Sequence, residues 1–137
     1  MNSHSIKEEV KYSDISSSPD SLLPENSCDC HHHIYDHRFP CAPDDTRNLP
    51  DATLDDYSRL KKRLGFQRHV LVQPSSYGTD NRCLLAALAQ AGDCSRGEAV
   101  VTDRVSEAEL DALEQAGVTG VRFNFGAGSA TTPEMML

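Results

Sequence analysis

The chain has 137 residues, room for one domain with a fair core, and its 13 basic and 21 acidic residues leave a formal net charge of −8. That balance argues against nucleic-acid binding, which needs clustered Lys and Arg; the one dense basic run, Lys61-Lys62-Arg63, falls in a helical pattern and reads as a solvated face. No apolar run reaches the roughly 18 residues of a membrane span and no signal-peptide core follows the N-terminus, so a cytoplasmic protein is expected, its five cysteines reduced.

Residues 1–26 are rich in Ser, Asp, Glu, Lys and Asn and are expected to form a disordered leader, with the domain occupying 27–137. The next stretch, Asp29-Cys30-His31-His32-His33-Ile34-Tyr35-Asp36, packs three of the six histidines side by side. As a strand over 28–34, period-two alternation places Asp29, His31 and His33 on one face and Cys28, Cys30 and His32 on the other. A loop from Asp36 to Ala52 with Pro40, Pro43 and Pro50 follows, long enough to suggest a function. Thr53-Leu54-Asp55-Asp56 caps a helix whose Leu54, Tyr57, Leu60 and Leu64 recur at helical spacing, and Gly65 stops it.

His69–Gln73 is a second strand, ended by the turn Pro74–Gly78. Asp80 caps a second helix that ends near Gly92, and Ala99–Thr102 is a third strand. Ser106-Glu107-Ala108-Glu109 is a capping box for a third helix, which Gly117 ends. Gly120–Phe125 is a fourth strand, and Thr132-Pro133-Glu134 opens another helix just before the sequence stops.

Strand and helix thus alternate four times, which argues for a parallel sheet with helices packed outside it. An open doubly wound sheet and part of a (β/α)8 barrel both fit. A full barrel needs about 250 residues, so four units in about 110 residues amount to half of one. The expected fold class is α/β: the first four βα units of a (β/α)8 TIM-like barrel, a truncated half-barrel.

In such folds the site lies at the carboxyl ends of the strands. Here those ends carry His31 and His33, then Gln73 and Ser75, then Thr102 and Asp103, then Arg122 and Asn124. In the fourth strand Val121, Phe123 and Phe125 are expected to meet helices, while Arg122 and Asn124 point into the lumen. An inward arginine needs an anion or a paired group, and a guanidinium is shaped to hold a carboxylate bidentately. Each residue also has a plainer reading. His-x-His equally describes a metal-scavenging tract; His4, His37 and His69 read as incidental; Gln73 and Ser75 fit ordinary packing; Arg122 can pair with an acid.

Three motifs resemble the amidohydrolase-related family: Asp29-x-His31-x-His33-Ile34-Tyr35-Asp36-x-Arg38-Phe39-Pro40, then Val72-Gln73-Pro74-Ser75-Ser76-Tyr77-Gly78-Thr79-Asp80-Asn81, then Gly120-Val121-Arg122-Phe123-Asn124. Within that family the chain is most similar to the pyrone-dicarboxylate lactonase group. The resemblance implies a distorted barrel and a hydrolase in which His31 and His33 are catalytic, polarising a lactone carbonyl through imidazole N–H donors. It implies that Arg122 holds a substrate carboxylate and that Ser75, Tyr77 and Asn124 complete the binding wall. In that group no cofactor is implied; in the wider superfamily His31 and His33 would ligate a divalent metal such as zinc. The chain departs from the group in two ways. A second arginine expected soon after the fourth strand is replaced by Gly126-Ala127-Gly128-Ser129-Ala130, which makes a dicarboxylate pyrone a poorer fit than another lactone. The water-activating aspartate of strand eight, and histidines of strands five and six, have no counterpart.

Besides a lactone hydrolase acting on a small carboxylate-bearing substrate, two other readings are open. One is a non-catalytic half-barrel that binds a small carboxylate, self-associates or pairs with a complementing chain across its open sheet edges. The other is a metal-binding module built on His31 and His33, with His32 or Cys30.

Overall fold

A computed structural model describes residues 17–126 and 130–136. Strands β1 (Cys28–His32), β2 (Arg68–Val72), β3 (Ser95–Ala99) and β4 (Val118–Val121) form one sheet in sequence order, each neighbouring pair parallel. Parallel neighbours require a crossover, and helices α1 (Leu54–Leu64), α2 (Arg82–Ala91) and α3 (Glu107–Gln115) supply it. The fold is α/β. Ile34, Leu54, Tyr57, Leu71, Leu84, Leu88, Ala99 and Val118 belong to its core. Of the expected leader, residues 1–16 lie outside the described residues, whereas the chain just before β1 is tied down: Arg68 Nη2 donates to Asn26 O at 2.7 Å.

Two helices begin as their sequences dictate. Thr53 Oγ1 accepts from Asp56 N while Asp56 Oδ2 accepts from Thr53 N, and Gly65 ends α1 at φ 87°. Ser106 and Glu109 make the same reciprocal box on α3. The second helix differs from expectation, because Asp80 does not cap it. Its carboxylate forks onto Arg82, and the cap position falls to Asn81, whose side chain bonds Val100 instead.

That side chain explains a shifted strand. Asn81 Oδ1 accepts from Val100 N at 3.1 Å and its Nδ2 donates to Val100 O at 2.9 Å, so Val100 leaves the ladder and β3 ends at Ala99. The expected strand over 99–102 is displaced to Ser95–Ala99, where His69 pairs with Ser95 and Val72 with Glu98. Gly97 permits this packing: a Cβ there would lie 2.7 Å from Leu88 Cδ1 on α2. The fourth strand also ends early, at Val121 rather than Phe125. Arg122 N still donates to Ala99 O, but Asn124 N turns to Thr131 Oγ1. Val121 and Phe125, expected against helices, are 45% and 52% exposed, and only a short 3-10 turn, Pro133–Met136, is described beyond them.

The first strand carries the main correction. Asp29 pairs with His69 and His32 with Leu71, so three steps on β1 match two on β2 and the strand bulges. A bulge resets alternation, and Asp29 therefore does not share a face with His33. Its carboxylate accepts from the Tyr57 hydroxyl of α1 at 2.9 Å. His32 lies flat on the Tyr57 ring at 3.5 Å, and its Nε2 is 2.8 Å from Nδ1 of His69, which is only 3% exposed. His69 is thus part of a buried polar cluster under α1 rather than an incidental residue.

Both imidazoles of this cluster are held down to about 4: His32 by burial and then by His69, and His69 by burial and then by Lys61. Each binds a proton more readily in the unfolded chain, so stability rises with pH across the interval between the two values. The domain is expected to keep this contribution above about pH 6.5 and to lose it progressively toward pH 4, a loss on the order of a few kcal/mol. Urea midpoints measured from pH 7 to pH 4.5 check this, and His69→Leu should flatten the slope.

Candidate active site

Two successive carbonyls at the C-terminal end of β2 gather the site. Val72 O accepts from His33 Nδ1 at 2.7 Å, and Gln73 O accepts from Arg122 Nη1 at 2.8 Å. His33 arrives from just beyond β1 and Arg122 from just beyond β4. Gln73 itself is fully buried and does not line the site. Its Nε2 donates to Gly78 O and Asp80 O, clamping the turn that follows β2.

The Val72 bond sets the chemistry of His33. A carbonyl only accepts, so Nδ1 carries the hydrogen, and in the neutral ring Nε2 is left with its lone pair. Burial lowers the His33 pKa, the Val72 carbonyl opposes that, and the Arg122 charge lowers it further. The expectation that His33 offers an N–H to a carbonyl is therefore revised: its one neutral-state N–H is taken, and the free nitrogen accepts. His31 is exposed, with its ring 5.0 Å from that of His33 at 75°. Its backbone N–H donates to Asp29 Oδ1 at 3.1 Å, and its ring makes no hydrogen bond among the described residues.

The other expected binding residues divide. Tyr77 is 3% exposed; its hydroxyl accepts from Asp36 N at 2.9 Å and donates to Asp36 O at 3.3 Å. It pins the chain leaving His33 and is a positioning residue in this structure. Asn124 Oδ1 accepts from Gly126 N at 3.2 Å, and its backbone is tied to Thr131, so it shapes the loop after β4. Ser75 is exposed at the end of β2, where its Oγ accepts from Arg47 Nη2 at 3.1 Å. His37 sits apart on the surface, paired with Asp51.

Arg47 is the residue that sequence reasoning missed. It belongs to one of three Asp-x-Arg forks, with Asp36-x-Arg38 and Asp80-x-Arg82, in which the arginine N–H and guanidinium close on the aspartate two residues earlier. The recurring spacing was a usable signal. Only among the described contacts does it become clear that Arg47 alone of the three reaches a side chain at a strand end.

A divalent metal fits the pair only in part. His33 has the arrangement of a ligand, Nδ1–H held by a backbone carbonyl and Nε2 free, and His31 is its neighbour. Among the described residues, however, no group of three or more His, Cys, Asp or Glu side chains is placed to hold an ion. A metal bound there would polarise an oxygen or activate water, but these residues do not complete its coordination.

The architecture and the site together define a class: an α/β protein whose polar groups converge at the carboxyl ends of parallel strands. Residues 28–137 match the amidohydrolase family model, and the chain belongs to that family. It is 40% identical over 111 residues to the 2-pyrone-4,6-dicarboxylate hydrolase of Comamonas testosteroni, covering 80% of this chain and 36% of that protein. It is 33% identical over 116 residues to the 4-sulfomuconolactone hydrolase of Rhizobium radiobacter, covering 80% and 39%. Among solved structures it resembles a probable 2-pyrone-4,6-dicarboxylic acid hydrolase from Acinetobacter baumannii with citric acid bound: TM-score 0.70, 30% identity, 81% of this chain and 43% of that one. The chain thus spans well under half the length of the relatives it matches.

Since the Arg122 charge helps keep His33 neutral, Arg122→Met is expected to raise the His33 pKa. Ring proton chemical shifts followed through a pH titration check the direction, and a pKa that falls or stays put would contradict it.

Proposed function

We propose that this chain forms the first four βα units of a (β/α)8 barrel that hydrolyses a carboxylate-bearing lactone, and that it carries one wall of the active site. Four parallel strands in sequence order support the half-barrel reading, as does coverage of 43% of a solved relative. The observation that carries the functional reading is the anchoring of His33 and Arg122 on the successive carbonyls of Val72 and Gln73 at the end of β2. It sets a proton acceptor and a fixed cation beside each other.

The roles follow from those groups. Arg122 uses one N–H on Gln73 O and keeps others for a substrate carboxylate. His33 Nε2 takes a proton from the water that attacks the lactone carbonyl carbon. His31 stands perpendicular to it, with no ring hydrogen bond among the described residues, and donates toward the oxyanion of the tetrahedral intermediate. Collapse of that intermediate breaks the ring C–O bond, and the proton held on His33 passes to the departing oxygen, leaving a hydroxyl and a carboxylic acid that ionises by releasing the second water proton to solvent.

Binding is the readout that needs only this wall. Calorimetric titration with 2-pyrone-6-carboxylate is expected to show binding that Arg122→Met weakens on the order of 100-fold, while His33→Ala changes it only a few-fold. Unaltered binding in Arg122→Met would overturn the assignment.

A second reading, in which the half-barrel pairs with another chain, draws on the exposure of Val121 and Phe125 and on the single neighbour each that β1 and β4 have among the described residues. It predicts a concentration-dependent dimer in sedimentation equilibrium, whereas a monomer across the range counts against it.

A further inference from the structure

Lys61, in the last turn of α1, meets a thiol rather than an acid. Its Nζ donates to Cys94 Sγ at 3.3 Å, 33 residues on, and it makes no ion pair among the described residues. Both side chains are half-buried. Cys94 ends the short 3-10 turn Gly92–Cys94 that joins α2 to β3. Its thiol hydrogen goes to Ala91 O at 3.5 Å, which leaves the lone pairs of the sulfur to the lysine.

The two elements are held against each other. Gln90 Nε2 of α2 donates to Asp55 Oδ1 of α1 at 2.8 Å, and Ser95 Oγ donates to Gly92 O at 2.7 Å, fixing the turn. The flexible four-carbon stem of lysine supplies any closer approach of nitrogen to sulfur. Of the other thiols, Cys28 and Cys30 donate to backbone carbonyls and Cys83 is 3% exposed. No lysine nitrogen is described on any of these or on Cys41.

We propose that Cys94 and Lys61 form an oxidation site, at which peroxide joins them through a sulfenamide bond that clamps α1 to the turn before β3. The Cys94 thiolate attacks hydrogen peroxide, the O–O bond breaks, and hydroxide leaves; the sulfur, oxidised by two electrons, becomes a sulfenic acid. The hydroxide takes a proton from the Lys61 ammonium. The neutral amine then attacks the sulfenyl sulfur, the S–O bond breaks, water leaves and an N–S bond remains. Two molecules of a small thiol reverse the change. The first breaks the N–S bond, freeing the amine and leaving a mixed disulfide, and the second restores Cys94 and departs as a small-molecule disulfide. The closed loop contains β2 and α2, so the bond restricts the unfolded chain and stabilises the fold. None of these residues belongs to the proposed active site.

The test treats the protein with hydrogen peroxide and maps it by mass spectrometry under non-reducing conditions, beside Lys61→Arg, Lys62→Arg and Cys94→Ser. The wild type is expected to give a Lys61 peptide joined to a Cys94 peptide, two hydrogens lighter than the pair, which dithiothreitol separates. Its thermal midpoint should rise by several degrees on oxidation and return on reduction. Lys62→Arg, which alters the exposed neighbour on the same helix, should cross-link like the wild type. Lys61→Arg and Cys94→Ser should give no joined peptide, and in Lys61→Arg the sulfenic-acid trap dimedone should label Cys94 instead. Circular dichroism before oxidation checks that each variant is folded. A wild-type Cys94 that takes dimedone without cross-linking, pairs with another cysteine or resists peroxide would overturn the proposal, as would a joined peptide that survives Lys61→Arg.

Discussion

The site depends on the end of one strand. β2 is interior to the sheet, with Leu71 and Val72 each 1% exposed, and the carbonyls of Val72 and of Gln73 just after it stand at its C-terminal end. A carbonyl at that place has a free lone pair that burial makes costly to leave unmatched. Val72 O is matched by His33 and Gln73 O by Arg122, so satisfying the strand end also positions the two groups to which the proposed function assigns the chemistry. The Val72 bond decides which nitrogen of His33 is left over; burial does most to disfavour its protonation, and the Arg122 charge that the Gln73 bond holds nearby adds to it.

The bulge in β1 separates two histidine environments that the sequence places side by side. Below it, the part-buried Asp29 and His32 turn toward α1 and bond to the buried Tyr57 and His69. Beyond it, His31 and His33 come to the open end of the sheet. Most of this polar cluster is bonded within itself: the tyrosine hydroxyl meets a carboxylate and one imidazole meets the other, while His32 Nδ1 lacks a partner among the described residues. Without the extra residue of the bulge, simple alternation would have set Asp29 beside His31 and His33, and a carboxylate there would have favoured protonated imidazoles.

Arginine forks give the loops their stiffness. In each, an aspartate accepts from the backbone and side chain of the arginine two positions later, closing a small ring that costs little chain entropy. The three sit on the loop after β1 and at the entry to α2. At Asp80 the fork takes the residue that would otherwise cap the helix, which frees Asn81 to stop β3. Local rules conflict at that corner, and the arginine two residues on decides between them.

Local features of the sequence determined the alternation of strands and helices, the capping boxes at Thr53 and Ser106, the parallel sheet, and the candidacy of His31, His33 and Arg122. These follow from periodicity and from side chains acting on backbone a few residues away, together with the motif resemblance that pointed to the family. The strand limits, the face of Asp29, the burial of His69, the positioning duty of Tyr77 and the reach of Arg47 were not legible, because each depends on a partner distant in sequence. Asp29 needed the register against β2, His69 needed His32, and Arg47 needed Ser75, 28 residues on. The protonated nitrogen of His33 belongs with these: alternation could aim the ring, but only the Val72 carbonyl, 39 residues away, settles which end of it is free.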